Sequence, residues 1–478
     1  ISSSGNTSTE STLPQREEIS RAQNPQKEWT VLVYFAGVNN LGLYVPISLM
    51  QMQDVGGCSN MNIVAEVDKL DTNQWLYKDY TQWGQETGYP ALNIVDTPTK
   101  RPPSGDKNIV RLEAGKNKIF FHESAPKKVG NASGTRTALY DFIRWGVQNF
   151  PAKNYALFVW NHGSGALDLP ETSWNYAPEV KNPAQWPPEE RRGIASNDIR
   201  RTFLSGAYFA EVLEAACKNL LPKGTFDLLC LDACLMAMVE SCIEFGKYAD
   251  YIIASQESGW GSGWNYAESL RPLTEKNLSP RELAQHLVVA YRREMLGEFV
   301  PPAYKRYHQV LDFTLSAVDT TKTDALNSAI DALATGLNDA LKPIASYKGI
   351  NLKDITDPET HELVERGRTV HNAIKNVRTN KTLITTFYDD SYIDLHQFCQ
   401  NVRARISPSD SLFALLSRVE NAIVTAVIKN THAPITLPHA RGLSIYFPKY
   451  RKYPTYAKTR FAQTNTWDEF LTMYRKAL

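Results

Sequence analysis

The sequence predicts an α/β fold in which a mostly parallel sheet is flanked by helices. Residues 29–35 and 62–68 are apolar runs typical of strands, and the stretch 41–52 between them can form a helix. A strand, a helix and a strand within about 40 residues make a βαβ unit. Two later apolar runs, 155–160 and 228–231, end abruptly in polar residues, as buried strands do. The 478 residues suffice for one large core or for two to three domains.

Charge and cysteine content exclude several classes of protein. The formal net charge of +1 gives no reason to expect binding to nucleic acid or to an anionic membrane surface. The cysteines form no CxxC pair and no regular framework, so neither a zinc site nor a disulfide scaffold is predicted. No apolar stretch reaches about 18 residues, and no transmembrane helix is expected. The six cysteines are Cys58, Cys217, Cys230, Cys234, Cys242 and Cys399.

A buried strand that ends in a cysteine is the first candidate site. The apolar run 228–231 stops at Asp232-Ala233-Cys234, and a helix-forming stretch follows at once. The sequence therefore predicts a buried strand that turns into a helix, with Cys234 on the turn. Unpaired N–H groups and the helix dipole would favour a thiolate there, although a cysteine before a helix is more often a core residue.

A histidine follows the run 155–160 in a similar position, within Asn161-His162-Gly163. If the two strands are neighbours in one parallel sheet, His162 and Cys234 meet at its carboxyl edge, where open α/β sheets place their sites. A Cys–His pair combines a nucleophile with a general acid–base, so the hypothesis is a thiol hydrolase. Each residue taken alone is more often structural, and the two together leave catalysis and a structural role equally weighted.

The motifs around these residues resemble those of the clostripain family of cysteine peptidases, which are relatives of caspases, gingipains and legumains. The shared features are the His-Gly and Asp-Ala-Cys turns, the first strand with its Asn-Asn-Leu loop, a Gly-Ile-Ala segment at 193–195 and Ser-Gln-Glu at 255–257. The resemblance spans residues 29–470 and departs at Val38, where relatives usually carry Asp. No metal ligand is assigned in that loop.

The resemblance implies a caspase-like α/β core with a helix-rich C-terminal part, and an endopeptidase that cuts after Arg or, less readily, Lys. Cys234 would attack the peptide carbonyl, and His162 would protonate the leaving amine and then activate water. The N–H groups of Gly163 and Cys234 would stabilise the oxyanion. No third catalytic residue is strictly required in caspase-like enzymes, and none is assigned.

Asp232, two residues before the cysteine, has two interpretations. A buried carboxylate in a pocket selects a cationic side chain, because an uncharged one leaves the carboxylate unpaired. The family's preference for Arg agrees with this interpretation, and Ser255, Gln256 and Glu257 would line the opposite wall of the pocket. Alternatively, Asp232 caps the helix that was predicted to follow it.

The segment 166–192 contains five prolines and no periodicity, and it is predicted to be an exposed loop. Linkers between the catalytic His and Cys of clostripain-like enzymes are often cut by the enzyme itself. Lys181, Arg191 and Arg192 are the basic candidates for such self-processing. An equally weighted alternative is a surface insertion that is never cleaved, since long loops are readily tolerated.

Three regions are predicted along the chain. Residues 1–27 are rich in Ser, Thr, Asn, Gln and Glu and form a flexible leader. Residues 28–300 form the catalytic core, and 301–478 form a C-terminal α/β part packed on it. The chain begins with Ile1 rather than Met, so an upstream segment is expected to be missing. Secretion, or a cell-surface or periplasmic location with a tether through the leader, is expected mainly from the family.

Two other functions stay open. A non-catalytic binding protein on the same fold would use the loop with Trp260 and Trp264 as a ligand platform, but it would need neither the His nor the Cys. A different thiol hydrolase, such as an amidase, is disfavoured by Asp232 and the long central loop. The chemistry requires no cofactor, and calcium enters only through the resemblance, because no calcium-loop spacing of carboxylates is present. Proteins or peptides are the expected partners, and the oligomeric state stays open.

Overall fold

The computed structural model describes residue 13 and residues 25–69, 74–98, 109–125, 132–167, 169–170, 191–198, 202–261, 263–299, 312–450 and 452–477. The chain divides into two compact units. The first is drawn from Ile1–His162, Pro170–Phe226 and Leu273–Asn277, and the second from Gly163–Leu169, Asp227–Pro272 and Leu278–Leu478. Most of the predicted leader lies outside the described residues, and the predicted boundaries after 27 and 300 stay predictions.

The secondary structure alternates between strands and helices in the first 300 residues and is mainly helical afterwards. The strands are β1 (Lys27–Gly37), β2 (Met61–Lys69), β3 (Ile94–Val95), β4 (Ile109–Gly115), β5 (Lys118–Ala125), β6 (Ala152–Trp160), β7 (Leu169–Pro170), β8 (Arg191–Arg192), β9 (Ile194–Asn197), β10 (Thr202–Leu204), β11 (Phe226–Asp232), β12 (Ala249–Ala254), β13 (Thr314–Asp319), β14 (Tyr392–Asp394), β15 (Val427–His432) and β16 (Ser444–Tyr446). The α-helices are α1 (Val45–Val55), α2 (Thr81–Thr87), α3 (Arg136–Asn149), α4 (Gly206–Asn219), α5 (Val239–Phe245), α6 (Tyr266–Leu270), α7 (Pro272–Glu275), α8 (Pro280–Met295), α9 (Thr323–Ser346), α10 (Pro358–Thr379), α11 (Leu395–Arg403), α12 (Ser411–Ala426), α13 (Arg460–Thr464) and α14 (Trp467–Ala477).

Six strands of the first unit form a sheet in the order β6-β1-β2-β4-β5-β3. Strand β1 is parallel to both β2 and β6, whereas β4 runs antiparallel to β2 and β5. The three parallel strands are nearly continuous runs of buried residues, as expected for strands covered on both faces. Phe35 pairs with Trp160 in the register of β1 and β6, so the residues after these two strands emerge at the same edge.

Helix α3 returns the chain to β6 and so sets the position of its carboxyl end. The side chain of Thr135 caps the helix by accepting the N–H of Ala138. The buried face of α3 packs on β1, and Gly146 allows Leu32 of that strand to approach closely. A short connection after Asn149 leads into β6 at Ala152, and β6 pairs with β1 in parallel register.

The second unit contains strands β11, β12, β13 and β15 as neighbours in that order, with β13 antiparallel to β12 and β15. Helix α8 packs on β12, β13 and β15 and begins with a capping box formed by Ser279 and Glu282. The long helix α9 packs against α10, α12 and α14, which accounts for the predicted helix-rich C-terminal part. Strands β14 and β16 form a small antiparallel sheet.

The α/β fold class is confirmed: the first unit combines the parallel strands β6, β1 and β2 with antiparallel β4, and helices pack on the strands of each unit. No helix in the described ranges combines the length and apolar composition needed to cross a membrane. The prediction that a helix follows Cys234 at once is wrong about where that helix starts. Strand β11 ends at Asp232, and α5 begins only at Val239.

The turn between β11 and α5 has a physical reason. The N–H groups of Leu235 and Ala237 donate to the carbonyl oxygens of Glu257 and Ser255, at 3.2 and 2.8 Å. These bonds tie the turn to the loop after β12, and Met238 is extended, with φ −108° and ψ 151°, so no α-helix runs through 235–238. Leu235 has a φ of 64°, in the left-handed region that costs a residue with a side chain about 1–2 kcal/mol. The nucleophile candidate is therefore followed by a strained turn.

Candidate active site

His162 lies two residues beyond β6, at the carboxyl edge of the sheet in the first unit. Its ring Nε2 is 2.7 Å from Oδ1 of Asn40, which begins a short 3-10 turn after β1. The backbone N–H of His162 donates to the side-chain oxygen of Asn161. The imidazole is partly exposed, so it can reach a ligand while one ring nitrogen is held by a carboxamide.

Asn161 fixes the backbone next to the histidine. Its Nδ2 donates to the carbonyl oxygens of Ala36 and Ser196, the latter at 3.0 Å. The Ser196 hydroxyl donates in return to Oδ1 of Asn161 at 3.1 Å. Ser196 lies in β9, shortly after the loop 166–192. The position of His162 therefore depends on the segment that follows the predicted processing loop.

Cys234 lies beyond β11 in the second unit, and the residue is 8% exposed. The N–H of Gly259 donates to its Sγ at 3.3 Å. Gly163 packs against the same residue, because a Cβ at position 163 would collide with the carbonyl oxygen of Cys234. By its contacts Gly163 belongs to the second unit, although its peptide bond joins it to His162.

Burial raises the pKa of the Cys234 thiol above its ordinary value. The N–H groups of Gly259 and Gly163 and the hydroxyl of Ser258 oppose this rise in pKa, whereas the carboxylate of Glu257 adds to it. The expected thiolate at a helix N-terminus is therefore wrong, because no helix begins at Cys234. The resting thiol keeps its proton at neutral pH and needs a base to remove it.

Asp232 is a buried carboxyl at the end of β11. The N–H of Trp264 and the hydroxyl of Tyr266 both donate to its Oδ2, at 3.0 and 3.1 Å. No described residue donates to Oδ1, which leaves that oxygen available for a ligand. Burial raises the pKa of Asp232 to about 7, against the effect of the two donors. The alternative role as a helix cap is excluded, because Met238 is the N-cap residue of α5.

The three residues predicted to form the opposite wall are buried in the second unit. Ser255 Oγ donates to the carbonyl oxygen of Glu257 at 2.8 Å, and Gln256 Nε2 donates to Asp394 at 3.1 Å. Glu257 Oε1 accepts the N–H groups of Ser258 and Tyr388, at 2.6 and 3.1 Å. These bonds hold the loop after β12 in place. Of the three side chains, only the carboxylate of Glu257 acts electrostatically on the thiol.

The processing candidates fall mostly beyond what the structure describes. Lys181 lies outside the described residues, as do 171–190 as a whole. Arg191 and Arg192 form the short strand β8. Among the residues that the structure does describe, no group of three or more His, Cys, Asp or Glu side chains could hold a metal ion.

Sequence reasoning missed several residues that contact the candidate site. Asn40 touches the histidine ring, Gly259 donates to the thiol, and Tyr266 donates to Asp232. A signal for Asn40 was available, because it follows the strand that pairs with β6. Gly259 belongs to the loop with Trp260 and Trp264, which the sequence analysis considered only as a ligand platform, and Tyr266 begins α6 directly after that loop.

Comparison with known proteins gives consistent matches along the chain. The sequence profile of the clostripain family matches residues 33–474. Clostripain from Hathewaya histolytica is 22% identical over 476 residues, which cover 94% of this chain and 80% of that protein. A secreted C11 cysteine protease from Bacteroides thetaiotaomicron, in complex with an irreversible peptide inhibitor, superposes with a TM-score of 0.56 at 15% identity and covers 92% of this chain and 100% of its own. An inactive zymogen C11 protease from Parabacteroides distasonis superposes with a TM-score of 0.51 at 16% identity. The match covers 95% of this chain and 99% of that protein.

Because their sequence identity to this chain is low, the two solved proteins establish a shared fold and nothing finer. The profile carries the assignment of family, because it extends over most of the chain and includes both candidate strand ends. His162 and Cys234 stand in the motifs through which the sequence resembled this family. The chain belongs to the clostripain family of cysteine peptidases.

Proposed function

We propose that this peptidase cuts after Arg, or less readily Lys, with Cys234 as nucleophile and His162 as general acid–base. The observation that carries the proposal is the position of Gly163, which is bonded to His162 and packs directly on Cys234. The N–H of Gly163 is close enough to the thiol to lower its pKa. The chain itself thus links the two side chains through one glycine.

The chemistry follows from a thiol that is protonated at rest. His162 takes the proton from Cys234, and Sγ attacks the carbonyl carbon of the scissile bond. The N–H groups of Gly163 and Cys234 stabilise the oxyanion that forms. Its collapse breaks the C–N bond, and His162 gives its proton to the leaving amine. Water then attacks the thioester, His162 accepts the water's proton, and the thiol is restored as the acid product leaves.

Asp232 supplies the specificity in this proposal. Both of its described hydrogen bonds reach Oδ2, so Oδ1 is the oxygen that a guanidinium or ammonium group would contact. A buried carboxylate favours a cation strongly, because an uncharged ligand would leave it desolvated and unpaired. Arginine would gain more than lysine, since its planar fork can bond a carboxylate in a fixed geometry. Ser255 and Gln256 would then support the pocket from behind, and Glu257 would lie beside the thiol.

Maturation and export are part of the same proposal. A relative from Bacteroides thetaiotaomicron is described as secreted, and one from Parabacteroides distasonis as an inactive zymogen. We place self-processing in the loop 166–192, at Lys181, Arg191 or Arg192. The hydrogen bonds between Ser196 and Asn161 support this position, because a cut upstream of β9 would alter the segment that holds the residue next to His162. The substrates would be proteins or peptides outside the cell, and the chemistry needs no cofactor.

Hydrolysis of fluorogenic peptides ending in Arg, Lys, Asn or Asp tests the proposal directly. The wild type, Cys234→Ala and His162→Ala should be compared at equal concentration, with and without a chelator. We expect turnover of Arg and Lys peptides by the wild type only, unchanged by the chelator. Gels of the same samples should show fragments of the chain only where Cys234 is present.

Turnover of Asn or Asp peptides instead of Arg would keep the catalytic pair and overturn the role of Asp232. Equal turnover by the wild type and Cys234→Ala would overturn the proposal that Cys234 is the nucleophile. Intact chains in an active wild-type sample would overturn the proposal of self-processing without affecting the proposal of peptidase activity.

A further inference from the structure

We propose that Asn40 is a positioning residue that holds His162 as the neutral tautomer with its proton on Nε2. This inference rests on the proposed function, in which His162 is the general acid–base. The carboxamide oxygen of Asn40 lies 2.7 Å from Nε2. Because a carboxamide oxygen can only accept, the ring nitrogen must donate. The lone pair that accepts the thiol proton is then on Nδ1.

The turn that carries Asn40 is fixed by its neighbour. Asn39 is buried, and its Oδ1 accepts the N–H of Leu41 at 2.9 Å, which caps the 3-10 turn. Its Nδ2 donates to the carbonyl oxygens of Ala36 and Ser196, at 2.9 and 3.3 Å. The exposed Asn40 side chain therefore extends from a backbone that is held at both ends.

The histidine is held by the same two carbonyl oxygens. Asn161 donates to Ala36 and Ser196 as Asn39 does, so two buried carboxamides share one pair of acceptors. The strands below them are in register, with Phe35 opposite Trp160. Both sides of the contact between Asn40 and His162 are consequently attached to one rigid frame within the first unit. A contact between two exposed side chains on independent loops would have no such constraint.

A neutral acceptor at this place has a chemical consequence. The oxygen of Asn40 stabilises the N–H of Nε2 in both the neutral and the protonated imidazole, so the ring keeps its orientation while the proton on Nδ1 comes and goes. The same logic underlies Cys–His–Asn arrangements on unrelated folds. Asn40, which precedes His162 by 122 positions in sequence, would thus complete such an arrangement.

The tautomer itself can be measured. In wild-type protein labelled with nitrogen-15 at histidine, we expect the His162 resonances at high pH to show the proton on Nε2, with assignment by comparison with His162→Ala. Asn40→Ala should give a mixture of tautomers, and Asn40→Asp, which keeps an acceptor oxygen, should restore the Nε2 form. The exposed Leu43 in the same turn provides the matched control Leu43→Ala, which should leave the tautomer unchanged.

Activity gives the second readout. Asn40→Ala should lower kcat for the Arg peptide by about 10- to 100-fold with little change in KM, because only proton transfer is affected. Asn40→Asp should recover most of this loss, and Leu43→Ala should match the wild type. All three variants should keep the wild-type Tm.

A wild-type His162 with its proton on Nδ1 would overturn the inference, because it would place the amide nitrogen of Asn40 against Nε2. An Asn40→Ala variant with unchanged tautomer and kcat would overturn it as well. Neither result depends on substrate specificity. Failure of the proposed function would instead show as an inactive wild type, or as activity that survives Cys234→Ala.

Discussion

Two buried carboxyl groups in the second unit, Asp232 and Glu240, are held in almost the same way. Asp232 Oδ2 accepts a backbone N–H and a tyrosine hydroxyl, from Trp264 and Tyr266. Glu240 Oε1 likewise accepts the N–H of Tyr446 and the hydroxyl of Tyr456, at 2.9 and 3.0 Å. Burial raises the pKa of each to about 7.

The second oxygen distinguishes the two groups. Glu240 Oε2 is shielded from solvent and has no hydrogen-bond partner among the residues that the structure describes, and the residue is 2% exposed. Asp232 is 7% exposed and lies two residues before Cys234, the proposed nucleophile. Glu240 is surrounded by the aromatic packing of Tyr446 and Tyr456, whose ring centroids are 4.5 Å apart. We therefore propose that Glu240 serves the structure of the core and that Asp232 serves substrate binding.

A raised pKa by itself does not separate these roles. Desolvation raises the pKa of any buried carboxyl, whether or not a ligand can reach it. The useful signal is an acceptor oxygen that the protein leaves without a donor and that is next to a reactive group. The comparison can be tested by making matched substitutions at Asp232 and Glu240 and at the tyrosine that donates to each.

The largest expected effect comes from removing the charge of each acid. Asp232→Asn should lower kcat/KM for an Arg peptide by about 10²- to 10³-fold, because the cation then enters a buried site with no counter-charge. Glu240→Gln should leave kcat/KM close to that of the wild type. Measured Tm values would separate a loss of fold from a loss of binding. Equal losses of activity in the two variants would remove the distinction.

The pH dependence of arginine preference is the next effect. With the pKa of Asp232 at about 7, the carboxyl is mostly ionised above that pH and mostly protonated below it. The ratio of kcat/KM for an Arg peptide to that for its uncharged citrulline analogue should fall about tenfold from roughly pH 8 to pH 6. The ratio cancels ionisations of the thiol and imidazole that affect both peptides. Asp232→Asn should give a small ratio that is flat with pH, and a flat ratio in the wild type would contradict the assignment.

Removing one tyrosine hydroxyl from each acid should give the smallest effect. Tyr266→Phe deletes a donor to ionised Asp232, a bond worth about 1–2 kcal/mol, and should shift the midpoint of the Arg-to-citrulline ratio upward by about one pH unit. Tyr456→Phe should lower Tm slightly and leave that midpoint unchanged. The same pH series measures both variants. A midpoint that moves in Tyr456→Phe would show that the two acids are not independent. A midpoint that stays fixed in Tyr266→Phe would show that Asp232 does not set it.

The sequence predicted the parts of this molecule that are determined locally. Continuous apolar runs identified β1, β2, β6 and β11, because a strand covered on both faces needs apolar side chains at every position. The polar residues at which these runs stop marked His162 and Cys234. Asp232 was noticed for the same reason, although its two interpretations could not be separated without the position of the next helix.

Tertiary structure alone decided which groups these side chains meet. Helix α5 starts only after a turn whose N–H groups bond to residues 255 and 257, and no local propensity encodes those bonds. Asn40 meets His162 across 122 residues, and Tyr266 meets Asp232 across 34, through pairings of strands and loops that one sequence does not specify. Local periodicity reports the burial of a segment, because burial follows from the segment's own side chains. Hydrogen-bond partners, tautomers and pKa values depend on groups brought together by the whole fold, and they could be derived only from the structure.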